Sequence, residues 1–329
     1  MGRGAEIGAT RGTLRLGSAP RARGEPLLDD VLASSDLLQG VARSRLSLAS
    51  GIEIALLDFG GTGPLALLHH ANGFCAGVWG LVAELLRPRF HVIAMDARGH
   101  GDSSKPESRD AYRWRCFAED LEAVAERLRE AHGVDRIGLG LGHSFGGTAT
   151  LVAAAVRPSL FERIVLVDPV IPPPPDLPVP TERAERVARL ASAARERQAV
   201  RASRAEAIAA WRERRFFADW DPRALALYAA EGLRDRPDGR VELKCPGEIE
   251  ATIFEENGTL DVFAHARRVA VPALFLWARR GDFPRPLYEA VAETMPDARV
   301  EDVDAGHLAV MERPDLVADA ALRFTASGR

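Results

Sequence analysis

The run Gly142-His143-Ser144-Phe145-Gly146 has the spacing G-x-S-x-G, a pattern that sets a serine on a sharp turn between a strand and a helix. Glycines on either side let the backbone of such a turn pack closely against its neighbours. With the serine and glycine content of this chain, chance alone would produce roughly one such match in ten chains. The flanking residues sharpen the signal, because Arg136 to Leu141 reads as a buried strand and Gly146 to Val156 as a helix of small residues. A serine hydroxyl is a weak nucleophile near neutral pH and needs a histidine to accept its proton and an acid to orient that histidine. His307, in Asp304-Ala305-Gly306-His307, follows the apparent strand Ala298 to Val303. Asp282, in Arg280-Gly281-Asp282-Phe283-Pro284, follows the apparent strand Ala273 to Trp277 and is the acid expected here. Asp168, after Ile164 to Val167, is the rival, its Asp-Pro pair serving equally as a strand exit.

Short apolar runs separated by helical stretches are the elements that must position these residues. Phe90 to Met95, Ile137 to Leu141, Ile164 to Val167 and Ala273 to Trp277 have the length and continuity of strands buried on both faces of a parallel sheet. Ala111 to Ala131 and Thr148 to Val156 have helical spacing between them, and the alternation gives an α/β architecture. Ahead of these, Leu46 to Phe59 breaks at Ser50-Gly51 like an antiparallel hairpin. The run Pro172 to Pro175 stops the pattern, since it can neither pair in a sheet nor continue a helix.

Taken with the motif, these features resemble the α/β-hydrolase superfamily, in its serine-nucleophile branch with a helical cap, over about Leu46 to Phe324. His69-His70-Ala71-Asn72-Gly73-Phe74 is similar to the family's oxyanion loop, with Ala71 where a glycine is usual, and Asp96 to Ser103 is similar to its turn after the fourth strand. The resemblance implies a mostly parallel eight-stranded sheet flanked by helices, with a helical cap inserted after the sixth strand. It divides the chain into a flexible N-terminal extension at 1–40, a core at 41–170 and 270–329, and a cap at 171–269. It also implies an oxyanion hole made by the N–H of Phe145 and one from the loop, that of Asn72, with Gly73 or Phe74 as alternatives. His70, Gly73, Phe74 and the cap aromatics Trp211, Phe216, Phe217 and Trp220 are the expected substrate contacts, although the same aromatics serve equally to glue the insertion to the core. The adjacent His143 is expected to point away from the reacting centre.

Composition narrows the function further. A formal charge of −4 and a pI near 6.1 offer no electrostatic footprint for nucleic acid, and a small-molecule substrate is expected. Ten arginines against five glutamates between Thr181 and Arg215 read as solvated helix faces. Cys75, Cys116 and Cys245 form no C-x-x-C pair, which suits a reducing, cytoplasmic setting, and no apolar run is long enough for a membrane span. No metal or organic cofactor is expected, since H-E-x-x-H, C-x-x-C and phosphate-loop patterns are missing. The chemistry expected is acyl transfer to Ser144 followed by hydrolysis. Esterase, lactonase, thioesterase, amidase, carbon–carbon bond hydrolase and perhydrolase chemistry stay open, as does a ligand-binding protein that keeps the fold.

Overall fold

A computed structural model describes residues 38–173, 180–258 and 260–326. The expected N-terminal extension, up to residue 37, and part of the proline run lie outside the described residues. The chain opens with an antiparallel hairpin, β1 (Ala42–Ser47) and β2 (Glu53–Gly61), whose turn closes through Gly51 at a φ of 80°. Four parallel strands follow: β3 (Leu65–His69), β4 (His91–Met95), β5 (Leu139–His143) and β6 (Ile164–Val167). A segment then intervenes that carries three short strands, β7 (Val200–Arg201), β8 (Leu233–Asp235) and β9 (Val241–Leu243). The main sheet resumes with β10 (Ala273–Ala278) and β11 (Ala298–Val303).

Apart from β7 to β9, the strands form one eight-stranded sheet in the order β1-β2-β4-β3-β5-β6-β10-β11, antiparallel on both sides of β2 and parallel elsewhere. The parallel strands inside the edge strand β11 are apolar because both faces are covered. Strand β3 illustrates the alternation: Leu65 and Leu67 join one apolar core while Ala66 and Leu68 join the other. Ile164 and Leu166 likewise face the side opposite to Val165 and Val167, and all four are buried. Helices Trp114–His132 and Phe145–Val156 cover the first of these faces, and Gly80–Leu86 and Pro314–Ala326 the second.

Between β6 and β10 the segment expected to be largely helical does form helices, at Thr181–Arg195, Arg204–Arg212, Pro222–Gly232, Gly247–Glu255 and Val262–Ala266. It also holds a three-stranded antiparallel sheet in the order β7-β9-β8. Local signals explain several helix starts: Ser203 accepts from the Glu206 N–H at 3.1 Å, Asp261 from Ala264 at 2.9 Å, and Asp221 caps a helix with Pro222 in its first turn. Several of the segment's arginines are paired. Arg195 meets Glu248 and Glu255 at 2.7 and 2.8 Å, Arg201 meets Glu206 at 2.8 Å, and Arg186 meets Asp282 at 2.6 Å. Pairs of this kind fit solvated helix faces rather than a basic binding surface. Among the described residues no helix is long and apolar enough to cross a membrane.

Candidate active site

Strand β5 ends at His143 and the next helix begins at Phe145, leaving Ser144 alone to turn the chain at φ 56° and ψ −123°. That left-handed φ is rare for a side-chain-bearing residue. The glycines that permit the turn are required sterically. A Cβ on Gly142 would lie 2.4 Å from the Gly146 carbonyl oxygen, and one on Gly146 would lie 2.4 Å from the His70 carbonyl oxygen. The helix start leaves the Phe145 N–H among the donors that an α-helix cannot satisfy internally.

Ser144 Oγ stands 2.9 Å from His307 Nε2, which brings together the serine and the histidine singled out from the sequence. His307 lies on the turn after β11, and its main-chain oxygen accepts the Nε2–H of His143 at 2.7 Å. The His143 ring thus contacts the backbone of His307, and burial holds it neutral, its pKa lowered to about 3.

The acid is corrected by the structure. His307 Nδ1 meets Asp168 Oδ2 at 2.6 Å, not Asp282. Asp168, fully buried at the end of β6, is held by the Ala278 N–H on Oδ1 at 3.1 Å, with the Tyr288 hydroxyl 3.0 Å from the same oxygen. Its φ of 40° makes it, with Ser144, one of two non-glycine residues of positive φ among the described residues. Asp282 lies four residues beyond the end of β10 on an exposed loop, where its carboxylate pairs with Arg186. Its neighbour Phe283 does reach the histidine, edge to face at 5.4 Å between ring centres. Strand pairing explains the outcome: β6 lies directly between β5 and β10, so its C-terminal end opens beside Ser144, and the Asp168 N–H closes on the Leu276 oxygen at 2.8 Å.

The loop after β3 is held on several sides. The His70 ring is fully buried; its Nδ1–H donates to the Ala71 oxygen at 2.7 Å and its Nε2 accepts the Ala97 N–H at 3.0 Å. Both nitrogens are spent on backbone, so His70 is a scaffold residue and the expected substrate contact is corrected. Burial lowers its pKa to about 4. The Gly73 N–H donates to His100 Nε2 at 2.9 Å, and the Phe74 N–H donates to the Ala71 oxygen at 3.3 Å. Asn72 uses its side-chain amide on the Glu250 oxygen at 2.9 Å. Phe74 opens an aromatic cluster from the intervening segment, with Trp220 and Tyr228 at 5.5 and 5.3 Å, Trp211 stacked on Tyr228 at 5.0 Å and Phe217 against Trp220 at 5.0 Å. Trp211 and Trp220 are buried and Phe216 is the exposed rim. Tyr228, Tyr288 and Glu250 do not stand out as site residues in the sequence; nothing local marks them, and only the long-range packing brings them to these loops.

The family model described as alpha/beta hydrolase family matches residues 66–320. The chain belongs to the alpha/beta hydrolase family. Within it, the chain is 32% identical over 263 residues to the N-formylmaleamate deformylase of Pseudomonas putida, covering 79% of this chain and 88% of that protein. Among solved structures, E-2-(acetamidomethylene)succinate hydrolase superposes with a TM-score of 0.72 at 22% identity, over 86% of this chain and 98% of that one. The thioesterase domain from the curacin biosynthetic pathway gives 0.71 at 20% identity, over 86% and 99%. At these identities the two structural likenesses speak to the α/β-hydrolase fold alone. Among the described residues no cluster of histidine, cysteine and carboxylate side chains has the arrangement to hold a metal ion.

Proposed function

We propose that this protein is a serine hydrolase that cleaves an ester-like or other acyl bond of a small, mainly apolar molecule through an acyl-enzyme. The observation that carries the reading is the unbroken chain of contacts from Ser144 Oγ to His307 Nε2 and from His307 Nδ1 to Asp168. In this reading His307 takes the Ser144 proton as Oγ attacks the acyl carbon, then passes it to the leaving group; a water activated by His307 releases the acid product. Asp168 fixes the ring so that Nε2 faces the serine, and its charge offsets that of the imidazolium while it lasts.

The negative oxygen of the tetrahedral intermediate is received by two backbone donors. One is the Phe145 N–H. The other is the Asn72 N–H, for a reason internal to the loop: the Gly73 and Phe74 donors are spent on His100 and Ala71, and the Ala71 oxygen is pinned by His70. A trans peptide then aims the Asn72 N–H away from those partners. Removal of one such donor commonly raises the barrier by roughly 3–4 kcal/mol. Phe74, Trp211, Phe216, Phe217 and Trp220 supply the apolar wall. The formyl group in the name of the Pseudomonas putida relative is an acyl group, which supports acyl cleavage over carbon–carbon bond hydrolysis.

Labelling with a fluorophosphonate, followed by a panel of acyl esters and amides of graded length, tests the reading. Wild-type protein is expected to label and turn over, and Ser144→Ala and His307→Ala to do neither. A wild type that neither labels nor hydrolyses any member of the panel would overturn it in favour of a ligand-binding protein.

A further inference from the structure

The loop that carries Asn72 is clamped from the segment between β6 and β10. Tyr228, buried in the helix Pro222–Gly232, donates its hydroxyl proton to the Gly73 oxygen at 3.1 Å. Arg197 donates to the Tyr228 hydroxyl oxygen at 3.3 Å and forms an ion pair with Glu250 at 2.8 Å. Glu250, on the helix Gly247–Glu255, gives its main-chain oxygen to the Asn72 side chain and lays its carboxylate over Gly73. The fit there is close: a Cβ on Gly73, which has a φ of 82°, would lie 2.4 Å from Glu250 Oε1. Asn72 is thus fixed through its amide nitrogen and through the carbonyl of the next residue by partners outside the core, while its amide oxygen lies 3.1 Å from His100 Nε2 within the core.

We infer that Tyr228, supported by Arg197 and Glu250, is a positioning residue for the oxyanion hole, so that the hole is complete only when the segment between β6 and β10 is seated on the loop. This rests on the serine hydrolase reading above. The argument is one of geometry. The peptide following Asn72 is held at its N–H by His100, and the next peptide is held at its C=O by Tyr228 and at its N–H by the Ala71 oxygen at 3.3 Å; loss of the Tyr228 bond leaves the left-handed Gly73 with one restraint fewer against rotation. A rotation there swings the Asn72 N–H off the position where negative charge develops, while the substrate's ground-state contacts are untouched.

Tyr228→Phe tests this, because it removes the hydroxyl and keeps the ring against Phe74 and Trp211. The expected result is a kcat about tenfold lower with KM within about threefold of wild type. The affinity for a trifluoromethyl ketone should fall by the same factor as kcat/KM. That probe bonds its carbonyl carbon to Ser144 Oγ, passes the serine proton to His307 and leaves an oxyanion in the hole, so it reads the hole directly. Thermal unfolding of both proteins shows whether the variant is folded. If Tyr228→Phe does not yield folded protein, Arg197→Lys, which keeps a cation beside Glu250 and withdraws the guanidinium from the phenol, should shift the same two quantities together by a smaller factor. Wild-type ketone affinity in the folded variant, or a change confined to KM, overturns the inference and leaves the hydrolase reading intact. A wild type that neither binds the ketone nor turns over esters removes that reading and this one with it.

Discussion

Asp168 and Asp282 both follow a sheet strand, and both precede or lie close to a proline, yet their surroundings differ in every physical respect. Asp168 is fully buried and its carboxylate meets His307, Ala278 and Tyr288. Asp282 is exposed and meets Arg186. Asp168→Asn should therefore lower kcat by roughly three to four orders of magnitude, since an amide in that place favours the wrong imidazole tautomer. Asp282→Asn should leave kcat within about twofold, because a surface ion pair contributes little. Steady-state kinetics on the two purified variants decides the matter; equal losses, or a larger loss at Asp282, would reverse the assignment. That Ser144 and His307 meet was legible in the sequence, because the G-x-S-x-G turn imposes glycines and His307 stands at the last strand's exit. The acid was not, because two adjacent parallel strands can each present a side chain at the same end of the sheet. Which one reaches the histidine depends on the pairing of β6 between β5 and β10, a relation between segments 110 residues apart in the case of Asp168 and Ala278.

Elements show the same division between local and non-local information. Strands buried on both faces announce themselves as apolar runs, so Ile164–Val167 coincides with its expected range. Strands β7, β8 and β9, of two or three residues, have no room for an alternation to develop and are invisible to periodicity. The element that matters most to the site is the turn from β5 into the helix Phe145–Val156, and its glycines make different demands. A Cβ on Gly146 would run into main-chain oxygens of His69 and His70, in and just beyond β3, at 2.5 and 2.4 Å, whereas one on Gly133, at the end of the helix Trp114–His132, would meet nothing. Gly146→Ala must push the Ser144 turn away from β3 and should destabilise by about 1–3 kcal/mol while also cutting activity strongly. Gly133→Ala incurs only the left-handed backbone penalty, about 1 kcal/mol, with activity retained. Urea denaturation and ester turnover measured on both variants separate the two; a fully active Gly146→Ala would mean that the turn is less constrained than its contacts indicate.

At the scale of the whole molecule, the unusual feature is a group of buried neutral histidines beneath the site. His69, His70 and His143 have pKa values lowered to about 3, 4 and 3, and His100 is lowered well below the ordinary value, all by burial first. Their positions make this intelligible: each ring trades hydrogen bonds with backbone carbonyls or N–H groups of the loops that carry Ser144, Asn72 or His307. His70, His100 and His143 tie those loops to their neighbours without introducing charge, while His69 bonds within its own loop. The consequence for stability follows from proton linkage. In the unfolded chain these histidines titrate near 6.5, but in the folded protein they stay neutral to about pH 4 or below, so across that interval the unfolded state binds more protons. The stabilisation is fully present above about pH 6.5 and is lost as pH falls towards the folded-state values. Each such histidine contributes up to about 1.4 kcal/mol per pH unit within the window. Asp96, Asp120 and Glu250, whose carboxyls burial pushes upward, act in the opposite direction and offset part of this at the acid end. Unfolding free energies from urea titrations between pH 7.5 and 5 should therefore fall steeply below about pH 6.5, with a slope at pH 5.5 equivalent to at least about two protons taken up per molecule unfolded. A flat profile over that range would mean that these rings are charged or solvated in the folded protein, and that the loops around Ser144 are held by something other than neutral imidazole bridges.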